Sequence, residues 1–106
     1  IETGEKGRKI AVLGDMLELG SFGPEEHRKL GQYVAQQNVD FLFTYGELMQ
    51  YTASEAIKYH MQNVQHYGDK NKLAGVLQEF LKSNDVVLIK GSRSMRMEEV
   101  LERLRR

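Results

Sequence analysis

Four short strand-like runs, the first wholly apolar and each ended at once by a glycine, constrain this chain more than anything else in its sequence. They are Ile10-Ala11-Val12-Leu13 before Gly14, Phe41-Leu42-Phe43-Thr44-Tyr45 before Gly46, Val64-Gln65-His66-Tyr67 before Gly68, and Val86-Val87-Leu88-Ile89-Lys90 before Gly91. The first, continuously apolar, fits a strand buried on both faces, as in parallel sheets, and the same device of a short run before a glycine recurs three times. Between them the apolar period becomes helical. Pro24 stands at a plausible first helical position, and Glu25 and Glu26 follow where a helix dipole favours acids, predicting a helix over 24–37 with Leu30, Tyr33 and Val34 inward. A second helix is expected over roughly 48–61, facing inward through Leu48, Thr52, Ala56 and Ile57 or Tyr59. Asp69 is a good N-cap for a third, whose Leu73, Val76, Leu77, Phe80 and Leu81 keep the i, i+3, i+4 spacing. A fourth, about 95–105, carries Met97, Val100, Leu101 and Leu104.

Alternation of strand and helix argues for an α/β fold: a Rossmann-like open sheet of about four mainly parallel strands flanked by helices. Right-handed crossovers then favour a central first strand with the fourth beside it. The 106 residues fit one domain, with residues 1–8 read as a polar, glycine-dotted tail or linker stub and residues 9–106 as the domain proper.

Composition narrows the function. Fifteen basic residues balance fifteen acidic ones, so the basic excess that neutralises phosphates in a duplex-binding domain is missing, and no nucleic-acid partner is expected. Without cysteine there is neither a disulfide nor a thiolate zinc site, which fits a reducing cytoplasm. No apolar run approaches the ~20 residues of a membrane span, and the first residues do not form a signal peptide, so no membrane insertion is expected.

In an open α/β sheet, ligands bind beyond the carboxyl ends of the strands, where the strand order reverses. That point falls between the loops after the first and fourth strands, which are the most unusual segments of the sequence. The first loop runs from Gly14 to Gly23, longer than the usual strand-to-helix link of about 2–6 residues. It holds Asp15 and Glu18 as candidate polar contacts, while Met16, Leu17, Leu19 and Phe22 are equally well read as packing over the sheet edge. The second loop, Lys90-Gly91-Ser92-Arg93-Ser94-Met95-Arg96, sets cations and hydroxyls at a helix start. Backbone N–H groups there attract anions, and arginine can grip a carboxylate or phosphate through paired hydrogen bonds. The competing reading is that Arg93 and Arg96 merely pair with Glu98, Glu99 or Glu102 on a solvated surface. No phosphate loop, dinucleotide fingerprint or metal-ligand spacing is present. His27, His60 and His66 are read as surface or helix-packing residues, with His27 set apart because its helix lies below the long loop.

The stretch Arg8-Lys9-Ile10-Ala11-Val12-Leu13-Gly14-Asp15-Met16-Leu17-Glu18-Leu19-Gly20, then Glu25-Glu26-His27 and Gly31, then Val87 through Glu98, closely resembles the carboxy-terminal domain of Mur ligases. Within that family it is similar to the branch that joins D-alanyl-D-alanine to UDP-N-acetylmuramoyl-tripeptide. The resemblance covers nearly the whole chain. It implies a cytoplasmic, ATP-dependent ligase of peptidoglycan precursor synthesis, in which ATP phosphorylates the tripeptide carboxylate and the dipeptide amine attacks the acyl phosphate. It also implies that ATP, magnesium and the UDP-linked substrate are held mainly by other domains of the parent, so that this fragment alone is not catalytic and holds no metal. On that reading Lys90, Ser92, Arg93 and Arg96 bind the dipeptide, Asp15 and Glu18 contact the nucleotide or the attacking ammonium group, and Gly14, His27 and Gly91 support them. The family domain normally opens with one more strand and helix than this sequence contains, and their absence would leave part of the sheet less covered.

Two other readings stand beside it. A flavodoxin-like receiver or interaction module would use Asp15 and Lys90, but it needs paired acids after the first strand, where Met16 follows Asp15. A regulatory nucleotide-binding domain would have to rely on the Lys90–Arg96 loop alone.

Overall fold

The computed structural model describes residues 7–17 and 19–105. Strands β1 (Lys9–Gly14), β2 (Phe41–Tyr45), β3 (Val64–Tyr67) and β4 (Val86–Lys90) form one sheet in the order β3-β2-β1-β4. Every pairing is parallel, and Val12 stands opposite Phe43 on one side and Ile89 on the other. Helices α1 (Gly23–Ala35), α2 (Met49–Lys58), α3 (Lys70–Phe80) and α4 (Glu98–Leu104) follow the strands in turn. The central place of β1, with β4 beside it, is the arrangement that the crossover rules predict.

Alternation along β1 divides the core. Ile10 and Val12 point to one face, where they meet Phe43, Leu73, Leu77, Met97 and Val100 from β2, α3 and α4. Ala11 and Leu13 point to the other and meet Val34, Leu42, Met49 and Ala56 from β2, α1 and α2. Phe80 closes the first face edge-on against Phe41 and Phe43, with ring centroids 4.9 and 5.3 Å apart. On the second face, α1 and α2 come close because residue 31 is glycine. A Cβ there would collide with the Thr52 carbonyl oxygen and lie 2.9 Å from the Glu55 Cβ. The Asp69 side chain accepts from the Asn71 amide at 2.9 Å, the cap that the sequence predicts.

The structure differs from the sequence reading in three ways. Arg8, read as the end of a linker stub, is built into the fold: its guanidinium donates to both Asp85 oxygens at 3.0 and 2.7 Å and stacks 4.3 Å over the Phe80 ring. β4 is half-buried on one face and open on the other, where Val86 and Leu88 lie exposed on the α1 side, and β3 at the opposite edge is likewise not buried on both faces. Tyr33, Ile57, Tyr59 and Leu101, expected inward, are exposed. Tyr33 stands beside the open face of β4, where it borders an apolar groove of ≈ 540 Å³ with Leu13, Leu30, Val34 and Leu88. Helical period thus locates each helix, whereas the width of its buried stripe depends on how much sheet lies beneath it.

Candidate functional site

The chain runs from β1 to β2 to β3 on one side of the sheet and returns to β4 on the other. The reversal therefore lies between the carboxyl ends of β1 and β4. Gly14 ends β1 and Gly91 follows β4, and both are glycine for one reason. A Cβ on Gly14 would come 2.7 Å from the Met97 sulfur, and one on Gly91 would come 2.7 Å from the Met97 Cγ and 3.2 Å from the Gly14 Cα. Met97 plugs the space between the strand ends and is buried there.

Beyond this plug the two loops are joined by hydrogen bonds. The Ser92 amide donates to the Asp15 carbonyl at 2.9 Å, and the Leu17 amide donates to the Ser92 hydroxyl oxygen at 2.6 Å. The Asp15 side chain, expected near a nucleotide or ammonium group, turns inward and is only 4% exposed. Its Oδ1 accepts from the Met49 amide at 2.8 Å and its Oδ2 from the Leu48 amide at 3.1 Å, so it caps the start of α2. Gly46, at φ +115°, leaves room for this carboxylate, which a Cβ there would strike. Glu18 lies outside the described residues.

His27 is fully buried. Its Nδ1 is 2.6 Å from the Gly23 carbonyl oxygen, and its Nε2 accepts from the Met16 amide at 3.0 Å. A carbonyl can only accept, so the proton sits on Nδ1 and the ring is neutral. The Thr52 hydroxyl donates to the His27 carbonyl at 2.7 Å, tying the same residue to α2. On the neighbouring strands, His66 Nδ1 and the buried Thr44 hydroxyl lie 2.7 Å apart. Burial lowers the His66 pKa, with the Asp15 charge acting in the opposite direction.

The cations divide into two groups. Arg96 adopts a left-handed conformation, φ 51° and ψ 48°, and its guanidinium lies 3.6 Å from Glu99. Its carbonyl and that of Met95 accept from the Lys70 ammonium at 3.3 and 3.0 Å, while Lys70 also pairs with Glu99 at 2.7 Å. The hydrogen bond from Lys70 is the main reason that the Glu99 pKa is lowered. Lys90 and Arg93 are exposed and make no ion pair among the described residues. Together with Ser92 they border a second depression of ≈ 290 Å³, floored by Met97 and Leu101. The pairing of arginine with surface acids thus describes Arg96 and not Arg93. Such a surface can hold a carboxylate or phosphate through charge-assisted hydrogen bonds. No group of three or more metal-ligating side chains converges among the described residues.

Lys70 was not among the residues singled out from the sequence, although a signal was there: a cation in the first turn of a helix opposes the dipole and calls for a partner elsewhere. A receiver would also need an acceptor aspartate after a later strand, and Asp69, which follows β3, is engaged as the cap of α3. Among the described residues no helix is long and apolar enough to cross a membrane.

A family model described as "Mur ligase, glutamate ligase domain" matches residues 1–93. The UDP-N-acetylmuramoyl-tripeptide–D-alanyl-D-alanine ligases of Bacillus subtilis and Haemophilus influenzae are each 37% identical to this chain across 92% of its length. The chain spans only 22% and 21% of those relatives. Among solved structures, the MurF ligase of Thermotoga maritima in complex with ADP is 31% identical, with a TM-score of 0.72 over 92% of this chain and 22% of its own. MurF from Acinetobacter baumannii superposes with a TM-score of 0.81 at 25% identity, over 93% of this chain and 22% of its own. The family model spans most of the chain, the relatives and solved structures agree with it, and the chain belongs to the Mur ligase family.

Proposed function

We propose that this chain is the substrate-positioning carboxy-terminal domain of a cytoplasmic, ATP-dependent ligase that joins D-alanyl-D-alanine to UDP-N-acetylmuramoyl-tripeptide in peptidoglycan precursor synthesis. Relatives similar over 92% of its length carry that ligase's name. The local observation behind the reading is the exposed pair Lys90 and Arg93 on a loop that hydrogen bonds fix to the end of β1.

The residues divide the work as follows. Arg93 clamps the carboxylate of the incoming dipeptide with two parallel N–H donors, and Lys90 adds a second positive charge. The Ser92 hydroxyl, having accepted from Leu17, donates its own proton to an oxygen of the same ligand. Arg96, shared with Glu99, shapes the loop and adds long-range charge. Asp15 contributes by holding α2 and the Ser92 amide, which leaves Glu18 as the acidic candidate for the ammonium group or the nucleotide. Gly14 and Gly91 admit Met97 beneath the loops.

Bound ATP supplies the phosphoryl group that activates the tripeptide carboxylate. On this reading magnesium and most of the contacts to ATP belong to the other domains of the parent. The domain's catalytic value is orientation, since a held amine reacts as if at very high concentration. Alone it positions one reactant and performs no ligation.

Arg93→Ala in the full-length parent tests the assignment. Losing a charge-assisted contact raises the KM for D-alanyl-D-alanine about 10- to 100-fold. Arg93→Lys recovers little of the loss, because the ammonium cannot form the paired bonds. An unchanged KM in Arg93→Ala removes Arg93 from the site.

A further inference from the structure

We propose that His27 is a positioning residue which sets where the Ser92 loop stands, acting through the backbone of Met16 and Leu17. The inference rests on the reading of that loop as the dipeptide site.

Three consecutive residues after β1 are each tied by their backbone. The Asp15 carbonyl accepts from the Ser92 amide, the Met16 amide donates to His27 Nε2, and the Leu17 amide donates to the Ser92 hydroxyl oxygen. The His27 bond is thus the middle one of three, and the outer two both end on Ser92. Residue 16 cannot shift without disturbing both contacts to Ser92, because each peptide plane is rigid and only two soft torsions separate neighbours.

The other end of the strut is fixed. The ring donates from Nδ1 to Gly23 at the head of α1, and the His27 carbonyl receives the Thr52 hydroxyl from α2. Close approach at Gly31 locks α1 on α2. The ring therefore transmits the position of a two-helix layer to residues 15–17, which lie outside any helix or strand. Imidazole fits this task because one rigid ring offers a donor on one nitrogen and an acceptor on the other. A leucine of similar bulk would leave both the Gly23 carbonyl's extra donor and the Met16 amide's acceptor unsupplied. The Asp15 carboxylate, the nearby acid of the same loop, gives both its oxygens to the α2 amides and not to the ring.

The test begins with the labelled wild-type chain. Its imidazole nitrogen spectrum should show His27 neutral with the proton on Nδ1, the minor tautomer of free histidine. Two variants then separate the two ring nitrogens. In His27→Gln the side-chain oxygen reaches the place of Nε2 and still accepts from Met16. In His27→Asn the shorter amide reaches Gly23 only. The Leu17 and Ser92 amides should shift and exchange about tenfold faster in His27→Asn, and stay near wild type in His27→Gln. In the full-length parent, kcat/KM for D-alanyl-D-alanine should fall about tenfold in His27→Asn and stay within about threefold in His27→Gln, with the KM for ATP unchanged in both.

An Nε2–H tautomer in the wild-type chain, or a Ser92 amide unmoved in His27→Asn, overturns the proposal. A moved Ser92 amide with unchanged dipeptide kinetics supports the linkage and overturns instead the reading of the loop as the dipeptide site. Should His27→Asn not fold, the wild-type tautomer and the His27→Gln spectrum decide.

Discussion

Replacing Asp15 with alanine removes the acceptor of the Leu48 and Met49 amides at the start of α2, and the cost can be worked out from the geometry. The carboxylate takes the Met49 amide at 2.8 Å and the Leu48 amide at 3.1 Å. Met49 is 1% exposed, so water cannot replace the lost partner there. An orphaned buried donor costs about 1–3 kcal/mol, and loss of an N-cap typically about 1 kcal/mol. Leu48 is half-buried and falls at the low end, which puts the sum near 3 kcal/mol. For a domain of this size each kcal/mol moves Tm by about 4–8 °C, so thermal unfolding should come on the order of 15 °C earlier. Asp15→Asn should recover less than half of the loss, because one amide oxygen can accept one N–H while the NH2 group faces the other. Thermal unfolding followed by circular dichroism reads both variants. A drop below about 3 °C in Asp15→Ala would refute the reasoning and return Asp15 to the list of candidate ligand contacts.

Two further predictions follow from other parts of the fold. The Arg8 guanidinium is the chief reason that the Asp85 carboxyl falls from its ordinary 3.8 to about 2. A depressed carboxyl stabilises the fold above its unfolded value and loses that contribution as pH falls through its folded value. Tm of the wild-type chain should therefore fall between about pH 4 and pH 2, and that limb should be shallower in Arg8→Gln; identical limbs would count against the ion pair. Gly31→Ala places a methyl against the Thr52 carbonyl and the Glu55 Cβ, where backbone must move. Overpacking outweighs the helix-propensity gain of about 1 kcal/mol, for a net loss of about 1–2 kcal/mol in urea unfolding, and a stabilised variant would contradict the close approach of α1 and α2.

Much of the fold can be read in the chain because two periods alternate along it. Glycine after each strand-like run marks the strand ends, and Pro24, Glu25 and Asp69 mark helix starts by mechanisms that act within a few residues. What the sequence conceals is long-range. Arg8 looks like linker because its partner Asp85 lies 77 positions away. Asp15 looks like a ligand contact by its place after a buried strand, and only the approach of α2 shows where its oxygens go. Leu88 reads as core, yet it lies exposed on its face of β4 beside an open groove. For the candidate site, the loops and their cations are legible, while the division between Arg96, held near Glu99, and Arg93, exposed beside Ser92, depends on how α4 turns after the left-handed Arg96.

The central claim is that the loops at the switch point receive D-alanyl-D-alanine. Its most direct test is a titration of the isotope-labelled chain with that dipeptide, followed by amide shifts, with L-alanyl-L-alanine as the control. Shifts that cluster at residues 14–20 and 90–97 and favour the D,D isomer are the predicted result. Equal shifts with both isomers, shifts confined to other surfaces, or no shift at saturating dipeptide would contradict the placement of the site on these loops.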